Sequence, residues 1–120
     1  MKTSSAKAKG RKLQQWVVNK LLDIWEELEE DDLRSNPMSC AGEDIIQSPL
    51  ARAKLGISIE AKNMEKVNVW KSMEQCKTNS GGHEPVLVIK KNHHKPLVVV
   101  DADYFFKVLH QRSMSDAYSD

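Results

Sequence analysis

Apolar positions along the chain change their spacing several times, and each change predicts a new element. Leu13, Trp16, Val17, Leu21, Ile24 and Leu28 recur at three- and four-residue steps, which predicts an amphipathic helix beginning near Gly10 or Arg11. Asn36-Pro37 bars its continuation. A short apolar run at Ile45-Ile46 follows Gly42-Glu43-Asp44, and a further short segment lies around Ala51 to Lys54 before Gly56. In Ile57-Ser58-Ile59-Glu60-Ala61-Lys62 the period drops to two, so a strand should turn Ile57, Ile59 and Ala61 to a core and Ser58, Glu60 and Lys62 to the other face. Val69, Trp70, Met73 and Cys76 restore helical spacing within 67–78. Two continuous apolar runs, 85–90 and 96–100, read as buried strands paired in a hairpin. Asp101 is placed to cap a last helix carrying Tyr104, Phe105, Val108 and Leu109, with a polar tail from Ser113. The expected order is α, β, β, α, β, β, α, with residues 1–9 as a flexible basic arm, one domain over 10–112 and a tail over 113–120.

At 120 residues, 40% apolar and 29% charged, the chain suits one globular domain with a modest core. No apolar run is long enough to span a membrane, and the polar, basic start is unlike a signal peptide, so the expected location is intracellular, in the cytoplasm. Cys40 and Cys76 lack zinc-site spacing and read as free thiols.

Net charge is only +1, but it is unevenly distributed. Lys2, Lys7, Lys9, Arg11 and Lys12 crowd the first twelve residues, residues 26–32 are acidic, and Lys90, Lys91, His93, His94 and Lys95 form a second cationic cluster. Basic clusters of this kind either solubilise or neutralise phosphates.

Candidate chemistry centres on Asp44 and, sixteen residues on, Glu60-Ala61-Lys62. Two carboxylates suit a hard divalent cation such as magnesium, and a lysine beside them can hold the attacking water or a phosphate oxygen. A Glu-x-Lys pair on a strand is also a common solvated face, and the Gly-x-Asp sequence upstream is what favours the catalytic reading.

With these residues in place the chain resembles the PD-(D/E)xK nuclease superfamily, and within it the archaeal-type and phage-encoded Holliday junction resolvases. The resemblance is carried by Lys9 to Trp16, Gly42 to Ile45, Ser58 to Asn63 and Val69 to Gln75, and it spans about residues 9–110. It implies an α/β, restriction-endonuclease-like core with a central mixed sheet flanked by helices. It also implies that Asp44, Glu60 and the Ala61 carbonyl hold magnesium or manganese, and that Lys62 positions the water. Gln75 matches a glutamine found near the site in many members. The archaeal enzymes carry a glutamate in the first helix, four residues after a glycine, where this chain has Gln14, and an amide cannot supply a third carboxylate, though it can hold a metal-bound water or a phosphate.

DNA contacts are expected from Lys9, Arg11, Lys12, Arg34, Ser35, Ser39, Arg52 and Lys91. Trp16, Trp70, Phe105 and Phe106 read as core or subunit interface. The expected activity is metal-dependent, structure-selective cleavage of branched DNA by a homodimer, foremost of a four-way junction. The alternatives are a phage-type flap, branched-DNA or site-specific duplex endonuclease, and a non-enzymatic DNA-binding module.

Overall fold

The computed structural model describes residues 4–37 and 41–117. The elements run α1 (Ser4–Ile24), β1 (Leu33–Ser35), β2 (Ile45–Gln47), α2 (Pro49–Leu55), β3 (Ile57–Asn63), α3 (Val69–Thr78), β4 (Glu84–Lys90), β5 (Leu97–Val99) and α4 (Ala102–Ala117). The chain is thus mixed α/β, with four helices, a three-stranded mixed sheet and a two-stranded ribbon among the described residues. No helix among them is long and apolar enough to cross a membrane.

β3 and β4 pair in parallel, Ile57 opposite Glu84 through Asn63 opposite Lys90. Parallel neighbours need a long crossover, and α3 supplies it. β5 then returns antiparallel to β4, with Leu87, Val88 and Ile89 opposite Val99, Val98 and Leu97, so the expected hairpin is present. Alternation along the strands sorts two faces. Ile59, Ala61, Val86 and Val88 join Leu13, Val17 and Val18 of α1 in the main core, together with Leu33 and Ile45 of the β1–β2 ribbon. On the opposite face Leu87 packs with Met73 and Cys76 of α3.

The β1–β2 ribbon meets the open edge of β3 through unlike bonds. Asp44 N–H donates to Ile59 O at 3.0 Å, and the Gln47 side-chain amide donates to Ile57 O at 2.7 Å. A side chain thus takes over a bond that a longer strand would make with its backbone.

Several expectations need correction. Residues 4–9 are the first turns of α1, not a flexible arm, because Ala6 and Ala8 are strong helix formers and Lys9 is tied down: its carbonyl accepts from Asn63 Nδ2 at 3.0 Å. α1 stops at Ile24, so the acidic stretch lies in turns. Two elements were unforeseen, β1 and α2. The second has clear signals: Ser48 Oγ accepts from Ala51 N at 3.1 Å, Pro49 opens the helix, and Gly56 closes it with φ +65°. β5 is not buried, since Leu97 and Val98 are 63% and 61% exposed. The large aromatics are not core either: Trp16, Trp70, Phe105 and Phe106 are all exposed. Asp101 immediately precedes α4, but its carboxylate pairs with Lys77 at 3.2 Å. α4 continues beyond Ser113 to Ala117, so the polar tail begins as helix.

Candidate metal-binding cleft

Asp44 is fixed by its neighbours immediately before β2. Its N–H bonds to Ile59 O, its own carbonyl accepts from Asn36 N at 2.8 Å, and its Oδ2 accepts from Ala61 N–H at 2.7 Å. A strand residue turns its N–H and C=O to the same edge, so the Ala61 carbonyl looks toward the edge on which Asp44 lies.

Glu60 occupies the middle of β3, and its side chain falls on the α3 face with Ser58 and Lys62, as the period-two pattern requires. That face is covered rather than solvated. α3 lies over it and leaves Glu60 4% exposed, with Asn79 Nδ2 donating to Oε1 at 3.3 Å. Burial, and then the charge of Asp44, push the Glu60 carboxyl above its ordinary value of 4.5, and the two carboxyl groups lie within hydrogen-bonding contact. A buried carboxylate facing another is an unfavourable arrangement that a divalent cation between them relieves.

A cleft of about 430 Å³ opens on this pair, with Lys7, Gly10, Lys62, Asn63, Gln75 and Asn79 also on its walls. Asp44, Glu60, Ala61, Lys62 and Gln75 therefore come together as the sequence suggests. Sequence reasoning missed Asn79, although it stands one helical turn beyond Gln75 and shares its face. It also left Lys7 in an arm rather than in the cleft wall.

Other expected residues lie elsewhere. Gln14 is buried in α1 and accepts from Ser35 Oγ, outside the cleft lining, so neither residue is presented to a ligand there. Arg52 is not free for a phosphate, because its guanidinium makes a two-point pair with Glu43, whose Oε2 also accepts from Ser58 Oγ at 2.7 Å. Arg11, Lys12 and Ser35 line a different hollow with Asn36 and Pro37. Arg34 and Lys91 are exposed, and Lys9 Nζ donates to Asn92 Oδ1 at 2.9 Å. Ser39 and Cys40 lie outside the described residues. Burial, followed by the charge of Glu60, pushes the Cys76 thiol up to about 11, which makes it an inert packing group beside the site.

Among the described residues no three His, Cys, Asp or Glu side chains form a metal-binding group. The donor set is two carboxylates with one backbone carbonyl on the same edge, plus the Gln75 and Asn79 amides on the cleft wall. Magnesium is commonly held by one or two carboxylates while keeping several waters, so this set fits it; a site for zinc would want nitrogen or sulfur.

The raised Glu60 carboxyl sets the sign of a pH effect. The folded protein holds this proton more tightly than the unfolded chain, so its contribution to stability is complete below 4.5 and is lost as pH rises through the raised value. Metal-free protein should lose urea resistance over that window. Glu60→Gln should flatten the loss, and magnesium should restore wild-type resistance at neutral pH but not that of the variant. Parallel pH profiles for the two proteins would contradict this account.

Comparison with models of protein families, with curated proteins and with solved structures gives no match for this chain.

Proposed function

We propose that this protein is a magnesium- or manganese-dependent endonuclease of the PD-(D/E)xK type, with a restriction-endonuclease-like core, acting on branched DNA and foremost on four-way junctions in the cell interior. The observation that carries the reading is the buried Glu60 carboxylate at mid-strand, in contact with Asp44 and opening on a cleft with two lysines. Burying a carboxylate is costly, and the nearby Lys62 charge offsets that cost only in part, since the Glu60 carboxyl stays above its ordinary value. The fold retains it where a cation would sit.

In the reaction Asp44 and Glu60 would hold the metal, with the Ala61 carbonyl as a further oxygen. The chemistry a bound metal would supply is polarisation of the phosphoryl oxygen and a better water nucleophile at neutral pH. Ala61 N–H fixes the Asp44 carboxylate, and Asn79 steadies Glu60, so neither ligand needs to reorganise. Lys62 stands two residues from Glu60 on the same face of β3, where its ammonium offsets charge gathering on the reacting phosphate and orients the attacking water. Lys7 adds a second cation at the cleft wall, for the flanking backbone. In-line attack leaves a 5′-phosphate and a 3′-hydroxyl.

A two-fold dimer is part of the proposal, because paired cuts in a nearly symmetric junction need two sites. Its support is shape. The radius of gyration is 15.1 Å, against about 13.6 Å for a compact chain of this length, and the long axis is 54 Å against 30 and 29 Å. α4, roughly 24 Å long by its residue count, carries exposed Phe105, Phe106, Val108 and Leu109, an apolar load suited to a second copy.

The test is a substrate panel with magnesium present: four-way junction, flap, single strand and linear duplex, run beside sedimentation. The junction should be cut preferentially and by a dimer. Preferential cutting of the flap by a monomer would replace the resolvase with a single-cut branched-DNA nuclease, and no cutting of any DNA would end the enzymatic reading.

A further inference from the structure

A second cavity, of about 250 Å³, lies on the same sheet face as Glu60. Val67, Val69, Ile89 and Leu97 give it an apolar wall; Ile89 and Leu97 are opposite in register and so project together. Lys90, Lys91, His94 and Lys95 supply the other wall. Met64 lines both this cavity and the catalytic cleft, so the two adjoin. The lone acidic residue of the lining, Glu65, is engaged, since its Oε2 accepts from Asn92 N–H at 2.7 Å. The turn bearing the cations is also held in place: Lys9 Nζ donates to Asn92 Oδ1, and His94 Nδ1 donates to Asn92 O at 2.9 Å.

An aliphatic wall facing three ammonium groups matches a ligand with a flat apolar part joined to an anion. A nucleotide is such a ligand. In a duplex the base faces are stacked away and only phosphates are offered, so the apolar wall selects an unpaired nucleotide whose base is free to enter. The size agrees: about 250 Å³ is below the roughly 300–1,000 Å³ of usual small-molecule sites and leaves room for one base rather than a stacked pair. Lys7 and Lys62 in the cleft and the lysines here would meet the same backbone on either side of Met64.

We propose that this cavity receives a single nucleotide, unpaired at the branch point, of the strand whose neighbouring phosphate lies in the Asp44–Glu60 cleft, so that the protein recognises a branch by a base that leaves its pair there. The inference rests on the nuclease reading for the identity of the polymer, and its test is therefore run without metal or cleavage. The probe is a short single-stranded oligonucleotide carrying 2-aminopurine, whose fluorescence reports the surroundings of the base, with the same sequence as a duplex for comparison. Leu97→Glu and Val98→Glu place the same charge on consecutive, equally exposed residues of β5 that face opposite sides of the sheet. The strand should bind more tightly than the duplex and change its fluorescence, Leu97→Glu should weaken strand binding about tenfold or more, and Val98→Glu should leave it within twofold.

The proposal is overturned if the wild type does not bind the strand, if both variants weaken it alike, or if Leu97→Glu changes the sedimenting mass while strand binding persists, which would make the cavity a contact between copies. Strand binding that obeys the Leu97 and Val98 contrast in a protein that cuts no DNA would uphold this inference and refute the nuclease. Cutting without the contrast would do the reverse.

Discussion

Asp44→Asn and Glu60→Gln should each lower magnesium-dependent cleavage of a four-way junction by on the order of 10²- to 10³-fold or more while leaving junction binding within a few-fold of wild type. Each change removes a ligand charge and almost no volume. The two should differ in their side effects. Glu60→Gln removes a buried charge in contact with Asp44, so the fold should tolerate or welcome it. Asp44→Asn keeps an oxygen able to accept from Ala61 N–H, so the β2–β3 junction should survive while the metal is lost. Single-turnover cleavage and gel-shift affinity measured on the same samples separate chemistry from binding. Undiminished cutting by either variant, or cutting that persists in a chelator, would remove the metal from the mechanism and Asp44 and Glu60 from the active site.

The largest effect on stability is expected at Leu87. It is 0% exposed, sits at the middle of the central strand and is the apolar link between the sheet and Met73 and Cys76 of α3. Leu87→Ala loses the transfer energy of the missing carbons and leaves a cavity, at a cost of about 2–5 kcal/mol. Against a total stability of ~5–15 kcal/mol, that is a large share. Because α3 carries Gln75 and is capped by Asn79, the proposed cleavage should fall at temperatures where much of the protein is still folded. Ile24→Ala, at the exposed end of α1, should cost within about 0.5 kcal/mol. Urea midpoints that rank the two variants equally would show that the α3 packing layer contributes little.

How much of this the sequence revealed depends on how local each cause is. The β3 strand and its two faces follow from six consecutive residues, because strand alternation is a property of the backbone alone. Whether the polar face is wet or dry depends on α3 folding over it, and nothing in Ser58-Ile59-Glu60-Ala61-Lys62 signals that burial. Arg52 looked like a phosphate contact because arginine often is one. Its true partner, Glu43, is nine residues away across β2 and the start of α2, and the pair becomes visible only when those elements are set against each other. Gln14 stands in a conspicuous position in the sequence, but a helix face does not say which of its neighbours it meets, and it meets Ser35. The β1 strand was hidden by brevity, since three residues between acidic turns and Asn36-Pro37 cannot display a period. α2 is the opposite case: Ser48, Pro49 and Gly56 marked both ends in plain sight, and the segment between them was left unassigned.

The ribbon of β1 and β2 reaches the edge of β3 by the Asp44 N–H, the Asp44 carboxylate and the Gln47 amide, whereas β3 and β4 share a seven-residue ladder. Polar bonding across this seam is sparse, and what holds it is packing: Leu33 and Ile45 of the ribbon are 1% and 0% exposed within the main core. Asp44 lies on that seam, so the placing of its carboxylate against Glu60 depends on how firmly the ribbon packs on β3. Under the proposed reading, a cation shared by the two carboxylates would add a tie across the seam and so would support the fold as well as the chemistry.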